Sequence, residues 1–120
     1  MKTRPPDAGE VVWADFDPSA GHEQTGLRPA LVISPFRYNA RSSLLVVCPI
    51  TRTASEWPFF VKITNGERVS GFVIVDQIKS IDAASRVRKI RGRVTGETLR
   101  EVRRVLGILA EIDAASQTDA

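Results

Sequence analysis

The period of the hydrophobic pattern changes once along this chain, and that change limits the possible folds more than any other feature. Up to residue 94 the apolar residues form short runs rich in Val and Ile, separated by Pro, Gly, Asn and Asp, as is typical of β-strands joined by turns. Beyond Thr95 they recur at every third or fourth position, at Leu99, Val102, Leu106 and Leu109. This spacing predicts an amphipathic helix over 96–113 with Thr95 as its N-cap. We therefore expect a mainly β fold, either a small barrel or a strongly bent sheet, with one C-terminal helix packed across it.

Six strands are predicted before the helix. They are expected at 10–16, 29–34, 43–51, 58–63, 72–78 and 86–94. The connection over 36–41 could form one helical turn. A chain of 120 residues is long enough for one domain. We place this domain at 9–113, between a flexible N-terminal tail, 1–8, and a flexible C-terminal tail, 114–120.

Positive charge is concentrated in one part of the chain. The sequence has 17 Lys and Arg against 14 Asp and Glu, a net charge of only +3, but nine of the basic residues lie between Lys79 and Arg104. Such a stretch attracts phosphate groups, although the solvated faces of an edge strand and a helix would have the same composition. Charge alone therefore leaves both a polyanionic partner and an ordinary solvated surface open.

The cysteine content and the hydropathy exclude other classes of protein. Cys48 is the single cysteine, so an internal disulfide is impossible, and its apolar neighbours predict a buried strand residue rather than a reactive thiol. No apolar run approaches the roughly 18 to 20 residues that a membrane span needs. We expect a soluble cytoplasmic protein with no membrane partner.

A long polar loop, residues 17–29, separates the first two predicted strands. Its chemically active side chains are His22, Glu23, Gln24 and Arg28. Two strands of this kind could be joined by a two-residue turn, so a longer polar connection indicates a binding or catalytic loop.

Several familiar chemistries lack the residues that they require. One cysteine and one histidine give poor support for a metal site, and Asp15 and Asp17 more often serve a turn before Pro18. Neither a glycine-rich phosphate loop nor a serine nucleophile motif is present. We therefore predict no metal and no cofactor. With His22 as the only histidine, RNA cleavage by a pair of histidines is excluded within one chain.

RNA cleavage by charge stabilisation remains open to this set of residues. General acid–base catalysis would require His22 with a carboxylate, or the protein would stabilise charge while the 2′-hydroxyl of the substrate attacks. Arg28 suits the second route, since its planar guanidinium can hold two phosphate oxygens, and Thr51 could add a hydroxyl donor. A surface ion pair for Arg28 and a strand cap for Thr51 are the simpler alternatives.

Longer stretches of the sequence resemble the MazF/PemK (Kid) toxins of bacterial toxin–antitoxin pairs. The matching segments include Gly9-Glu10-Val11-Val12-Trp13, Phe16-Asp17-Pro18, Gly21-His22-Glu23-Gln24, Arg28-Pro29-Ala30-Leu31-Val32-Ile33-Ser34-Pro35, Cys48-Pro49-Ile50-Thr51, Trp57-Pro58-Phe59 and Val75-Asp76-Gln77-Ile78-Lys79-Ser80-Ile81-Asp82. They follow the order and the spacing of the family from about Gly9 to Ile112. The resemblance implies an SH3-like small β-barrel with a C-terminal helix, the fold shared by MazF, PemK and CcdB, and it implies a homodimer.

The same resemblance implies an activity and two kinds of partner. It points to a metal-independent endoribonuclease that cuts single-stranded RNA, often mRNA, at short sequence motifs. Attack by the 2′-hydroxyl of the substrate would leave a 2′,3′-cyclic phosphate and a 5′-hydroxyl. A cognate antitoxin protein would neutralise the enzyme.

The resemblance also assigns catalytic roles. In the MazF-like branch the site residues are the loop arginine, here Arg28, and the strand-end threonine, here Thr51, with Glu23 in support. The Kid-like branch uses a loop histidine, an aspartate and an arginine, and the position of that arginine is Ile74 in this chain. We therefore predict Arg28 and Thr51 as the catalytic core, with Glu23 or His22 assisting proton movement.

A further set of residues is predicted to bind RNA. It comprises Gln24, Trp57, Asp76, Gln77 and Lys79. Asp76 and Gln77 would either order the polar loop or contact a base. Trp57 would either stack on an unpaired base or pack within the protein or a dimer.

Two other functions fit part of these observations. One is a non-enzymatic toxin that binds gyrase, as CcdB does through its C-terminal end, although this chain ends in Ser116-Gln117-Thr118-Asp119-Ala120, without an aromatic anchor. The other is a catalytically idle RNA-binding module that grips phosphate with the same basic surface. Incubating the purified protein with RNA and with gyrase distinguishes the three functions.

Overall fold

The computed structural model describes residues 4–18 and 20–112, which form a mainly β fold with a C-terminal helix. The elements are β1 (Glu10–Asp15), β2 (Leu27–Val32), α1 (Phe36–Asn39), β3 (Leu44–Thr51), β4 (Phe60–Lys62), β5 (Phe72–Ile74), β6 (Lys79–Asp82), α2 (Ala83–Arg86), β7 (Val87–Arg93) and α3 (Gly96–Leu109). The last three residues of the polar loop therefore belong to β2.

The strands form one antiparallel sheet that bends into a barrel without closing. Its order is β4-β5-β3-β2-β1-β7, and β6 also pairs with β3. Within the described residues β7 has a ladder only with β1, and an isolated bridge from Glu67 to Arg93 links it to the connection between β4 and β5. The expected small barrel-like fold with a C-terminal helix is thus confirmed, with an open sheet in place of a closed one.

Apolar side chains cover both faces of the sheet. On one face Val12 and Ala14 of β1 pack with residues of β2, β3 and β6. On the other face Val11 packs with Val102 and Val105 of α3. Successive strand residues point to opposite faces, so β1 contributes to both clusters, and its Val11, Val12 and Ala14 are fully buried.

The central strand β3 is paired along most of its length. It pairs with β2 on one side, and on the other side with β5 near its C-terminal end and with β6 near its N-terminal end. On this side of β3, Ile50 is paired with Val73 and Val47 is paired with Lys79. Three residue steps along β3 therefore correspond to six steps along the segment that pairs with it. The three extra residues leave the ladder as a 3₁₀ turn over Val75–Gln77.

The prediction of one strand over 72–78 is therefore wrong. Within this range only β5, Phe72–Ile74, is a strand; the 3₁₀ turn follows it, and the next strand, β6, begins at Lys79. The prediction failed because Val73 to Val75 is an uninterrupted apolar run, whose pattern does not mark the point where the chain leaves the sheet. The short helix α2 was also not predicted; the Asp82 side chain caps it by accepting from Ser85 N at 2.9 Å.

The predicted cap of the C-terminal helix is confirmed. Thr95 Oγ1 accepts a hydrogen bond from Thr98 N at 3.1 Å, which satisfies one of the free amides of the first turn. The helix ends at Leu109, four residues before the predicted end at 113. It ends there because Glu111 has a φ of 55° and Ile112 N donates to Gly107 O at 2.8 Å, which closes the last turn.

Residues 4–8 contact the domain. Arg4 donates two hydrogen bonds to the Glu10 carboxylate, and Pro6 is buried with its carbonyl accepting from Asn39 Nδ2 at 2.8 Å. This part of the predicted N-terminal tail therefore packs against the sheet. Residues 1–3 and the predicted C-terminal tail, 114–120, lie outside the described residues.

Two further predictions concern burial and hydropathy. Cys48 is fully buried in β3, and burial raises the pKa of its thiol to about 12, in agreement with a packing role. Among the helices of the described residues, none is long and apolar enough to cross a membrane.

Candidate functional site

Arg28 and Thr51 line the same groove. Arg28 is the second residue of β2 and Thr51 is the last residue of β3, and these two strands are hydrogen-bonded neighbours. The groove has a volume of about 530 Å³, and Trp13, Arg52 and Arg91 also contribute to its walls. We call it the Arg28 groove. The strand pairing brings together two residues that are 23 positions apart in the sequence.

The Arg28 guanidinium is fixed from one side only. Its Nε donates to the carbonyl of Thr25 in the polar loop at 3.0 Å. Within the described residues its two terminal nitrogens have no protein partner. A half-buried arginine of this kind retains donors for a phosphate.

The Thr51 hydroxyl retains a hydrogen to donate. Its Oγ1 accepts a hydrogen bond from Thr53 N at 3.1 Å, which orients the side chain. A hydroxyl can accept and donate at the same time, so its own hydrogen remains available to a ligand in the groove. The backbone beside it requires a glycine, because a Cβ at Gly71 would lie 2.3 Å from Thr51 O and Gly71 has a φ of 113°.

The polar loop is anchored at its two ends. Asp17 Oδ1 accepts from Gly26 N, and Phe16 N donates to Gly26 O, both at 2.9 Å. The Arg86 guanidinium donates to the carbonyls of Asp15 and Asp17. Asp17 therefore serves the loop as a turn residue, as the sequence suggested. No group of three or more His, Cys, Asp or Glu side chains in the described part of the chain has a geometry that could hold a metal ion.

Gln77 supports the middle of the polar loop. Its Oε1 accepts from Gln24 N at 2.8 Å, and its Nε2 donates to His22 O at 3.3 Å. Gln77 reaches the loop because it is the last residue of the 3₁₀ turn between β5 and β6. Of the two roles considered for this residue, the contacts correspond to ordering the loop.

The side chains of His22 and Glu23 lie apart from the Arg28 groove. Glu23 Oε1 accepts from Ala20 N at 2.8 Å, and both residues are exposed on the loop. Neither is among the described residues that line the groove. The structure thus brings Arg28 and Thr51 together, while the two predicted proton-transfer residues remain on the loop that precedes Arg28.

The other predicted RNA-binding residues have partners within the protein. Trp57 is 52% exposed, its Nε1 donates to Asp76 Oδ2 at 2.8 Å, and its ring centroid lies 5.6 Å from that of Phe59. The Lys79 ammonium lies 5.7 Å from the centroid of the Phe16 ring. Trp57 therefore keeps an accessible aromatic surface, whereas Lys79 interacts with an aromatic residue at the end of β1.

Three residues that line the Arg28 groove were not predicted as site residues from the sequence. They are Trp13, Arg52 and Arg91. Trp13 was assigned only to a strand, and Arg91 only to a strand and to the basic stretch between Lys79 and Arg104. The described residues that line the groove include three arginines and no carboxylate, so the groove attracts anions.

The comparisons with known proteins agree in one family. The family model described as "PemK-like, MazF-like toxin of type II toxin-antitoxin system" matches residues 7–110. The endoribonuclease toxin MazF of Escherichia coli is 38% identical over 104 residues, which are 87% of this chain and 93% of that protein. The crystal structure of MazF from Deinococcus radiodurans has a TM-score of 0.84 and 44% identity, covering 90% of this chain and 98% of the other. A MazE-MazF structure from the same organism has a TM-score of 0.78 and 43% identity over 90% of this chain and 97% of the other.

Proposed function

The chain belongs to the PemK-like, MazF-like toxins of type II toxin–antitoxin systems, and from this premise we propose that it is an endoribonuclease that cuts single-stranded RNA. The observation that carries the proposal is the position of Arg28 and Thr51 on one groove, where no described lining residue is a carboxylate. Relatives of similar length and more than a third identity are named as endoribonucleases. The substrate we propose is mRNA, cut at a short sequence motif.

In the proposed reaction the substrate supplies the nucleophile. The 2′-hydroxyl on the 5′ side of the scissile bond attacks the adjacent phosphorus, and the bond to the 5′-oxygen of the next nucleotide breaks. Arg28 and Thr51 stabilise the negative charge that develops on the phosphate oxygens. The products are a 2′,3′-cyclic phosphate and a 5′-hydroxyl.

Proton movement is assigned to the polar loop. One group must take the proton of the 2′-hydroxyl, and another must protonate the leaving 5′-oxygen. Glu23 and His22 are the ionisable residues closest in sequence to Arg28, and Gln77 and Arg86 hold the loop that carries them. We propose that Glu23 or His22 assists one of these transfers once RNA occupies the groove.

The family and its solved structures support the proposed partners. The solved relatives include a MazE-MazF complex and an endoribonuclease with its cognate antitoxin. We propose that this chain forms a homodimer and is neutralised by a cognate antitoxin, whose acidic and apolar segment folds across the polar loop. Its site of action would be the cytoplasm, where mRNA is present.

The experiment that tests the function compares Arg28→Ala and Thr51→Ala with the wild-type protein on an RNA transcript. We expect Arg28→Ala to lower the cleavage rate by on the order of a hundredfold, the effect of losing one preorganised charge-stabilising donor. Thr51→Ala should have a smaller effect, because a neutral donor stabilises charge less than a guanidinium does. Arg41→Ala is the matched control, since Arg41 is exposed and precedes β3 at the end opposite to Thr51.

A modified substrate tests the source of the nucleophile. Replacing the ribose on the 5′ side of the scissile phosphate by its 2′-deoxy form should abolish cutting while binding persists, and cutting of the unmodified RNA should continue in excess EDTA. In the variant experiment described above, full activity of a folded Arg28→Ala protein would overturn the assignment of Arg28 to the site. Cleavage of the deoxy-substituted strand would show that water attacks instead.

A further inference from the structure

A second groove continues from the Arg28 groove. It has a volume of about 340 Å³ and is lined by Trp13, Arg68, Lys89, Ile90 and Arg91. We call it the Lys89 groove. Trp13 and Arg91 line both grooves, so a ligand can pass from one to the other over these two side chains.

A β-bulge places Arg91 at this junction. Ile90 of β7 is paired with Val12 of β1, and Gly92 is paired with Val11, so Arg91 is the extra residue between two consecutive pairs. A bulge turns the extra side chain away from its regular position in the ladder. The Arg91 guanidinium carbon lies 4.4 Å from the centroid of the Trp13 ring, which is the range of a cation–π contact.

The arginine is held in this position by a second contact. Its Nε donates to the carbonyl of Arg68 at 3.3 Å, and within the described residues its terminal nitrogens have no other protein partner. One face of the guanidinium is thus covered by an indole ring. Arg91 is only partly buried and lines both grooves, so part of its side chain remains accessible to a planar ligand group.

The Lys89 groove has the chemistry of a site for unpaired nucleotides. Arg68, Lys89 and Arg91 contribute three positive charges, and no carboxylate is present among the described residues that line it. A base can stack on an arginine plane, and neighbouring cations can hold the phosphates on either side of it. A base inside a duplex has both faces stacked, so this arrangement favours a single strand.

We propose that the Lys89 groove binds an RNA nucleotide beyond the scissile phosphate, whose base stacks on Arg91 while Arg68 and Lys89 hold the flanking phosphates. This inference rests on the proposed function, since the same strand must occupy the Arg28 groove. It adds an affinity site on β1 and β7 that none of the predicted site residues includes. The Trp13–Arg91 pair is its platform.

The test uses an RNA of about ten nucleotides that contains one cleavage site, a length within the range of single-strand binding sites. The ribose on the 5′ side of the scissile phosphate is 2′-deoxy, so that binding can be measured without cutting. A series of such strands carries one abasic nucleotide at successive positions on each side of the site. Fluorescence anisotropy gives the Kd of every strand for the wild-type protein, Arg91→Ala, Arg91→Lys and the control Arg41→Ala.

We expect one abasic position outside the scissile dinucleotide to weaken wild-type binding by about tenfold, the lower range of base–arginine and base–aromatic stacking. The same abasic substitution should cost nothing further in Arg91→Ala. It should cost little in Arg91→Lys, which keeps the charge but lacks the planar face. Arg41→Ala should behave as the wild type does, because it removes the same charge elsewhere.

The possible outcomes separate a failure of this inference from a failure of the proposed function. If the wild-type protein cuts RNA and the abasic profile of both Arg91 variants equals that of the wild type, the Lys89 groove is not a nucleotide site. If the wild-type protein does not cut RNA under any condition, the proposed function fails, and the inference fails with it. Arg91→Lys keeps the test decisive if Arg91→Ala does not fold.

Discussion

Gln77 uses both polar atoms of its side chain on the polar loop. Gln77→Ala removes the hydrogen bonds to Gln24 N and His22 O, each of which contributes about 0.5–1.5 kcal/mol in a folded protein. We expect faster amide hydrogen exchange over residues 20–26 and a cleavage rate lowered by about tenfold, because Arg28 depends on the same loop. Mass spectrometry of exchange and a cleavage assay measure the two effects.

Gln77→Glu is the matched variant for this prediction. It keeps an oxygen that accepts from Gln24 N, but it replaces the donor to His22 O by a second acceptor oxygen that carries negative charge. Its exchange rates should therefore lie between those of the wild type and Gln77→Ala. Unchanged exchange over 20–26 in Gln77→Ala would mean that Gln77 does not order the loop.

Individual residues of the site differed in how far the sequence could identify them. Arg28 and Thr51 could be singled out because their chemistry, their positions at strand ends and a family resemblance all indicated the same role. Arg91 could not, because its place in the groove depends on a one-residue bulge in β7. The orientation of Gln77 toward the loop depends in the same way on the 3₁₀ turn. Neither irregularity changes the hydrophobic pattern, which is what a strand prediction uses.

At the scale of elements, the N-cap of α3 supports the helix that covers one face of the sheet. Thr95→Ala removes the side-chain acceptor for Thr98 N. We expect the free energy of unfolding to fall by about 1 kcal/mol, the usual cost of such a substitution. Denaturant unfolding followed by circular dichroism measures it.

Thr95→Ser and Thr64→Ala are the controls for the helix cap. Serine keeps the hydroxyl and should retain nearly all the stability, whereas Thr64 is exposed and lies outside any helix. An equal loss in Thr95→Ala and Thr64→Ala would show that the hydrogen bond to Thr98 N contributes nothing.

Most elements could be predicted from their apolar residues and from the turn residues between them. The helix followed from apolar residues three and four positions apart, and five strands were found within two residues of their ends: β1, β2, β3, β4 and β7. β6 was missed because Lys79–Asp82 contains only one residue, Ile81, that is buried. With one buried side chain, β6 is stabilised mainly by its pairing with β3. Such pairing cannot be predicted from the local sequence.

At the scale of the whole molecule, one buried carboxylate connects distant segments. The Glu10 side chain, 4% exposed at the start of β1, accepts from Arg4 at 2.8 and 2.5 Å, from Asp7 N at 2.7 Å and from Arg93 at 3.3 Å. The hydrogen bonds from Arg4 are the main reason why the pKa of Glu10 lies below its usual value of 4.5. The carboxylate therefore joins the N-terminal segment, β1 and β7.

This arrangement predicts a pH dependence of stability. Because the pKa of Glu10 is lower in the folded state than in the unfolded state, its contribution is complete above pH 4.5 and is lost as the pH falls toward the folded value. Glu10→Gln should lower the free energy of unfolding at neutral pH by about 1–3 kcal/mol. Unfolding in denaturant at pH 7 and at lower pH should show a smaller pH dependence for Glu10→Gln than for the wild type.

The control for the pH experiment is Glu56→Gln. Glu56 is exposed, and among the described residues it has no ion pair. Its substitution should leave both the stability at pH 7 and the pH dependence unchanged. If Glu10→Gln has the same pH dependence as Glu56→Gln, the carboxylate of Glu10 is not a source of acid sensitivity.

The three residues that leave the ladder beside β3 also affect how such a protein can change over evolutionary time. β5 and β6 hold the register on both sides of the 3₁₀ turn, so a substitution at Gln77, which bonds to the polar loop, can move that loop without shifting the strands. Val75 is fixed by the core, whereas Asp76 and Gln77 lie outside it and can vary more freely than their neighbours in the sheet. A barrel built in this way can acquire a new sequence preference through a few changes in one short segment while its stability is conserved.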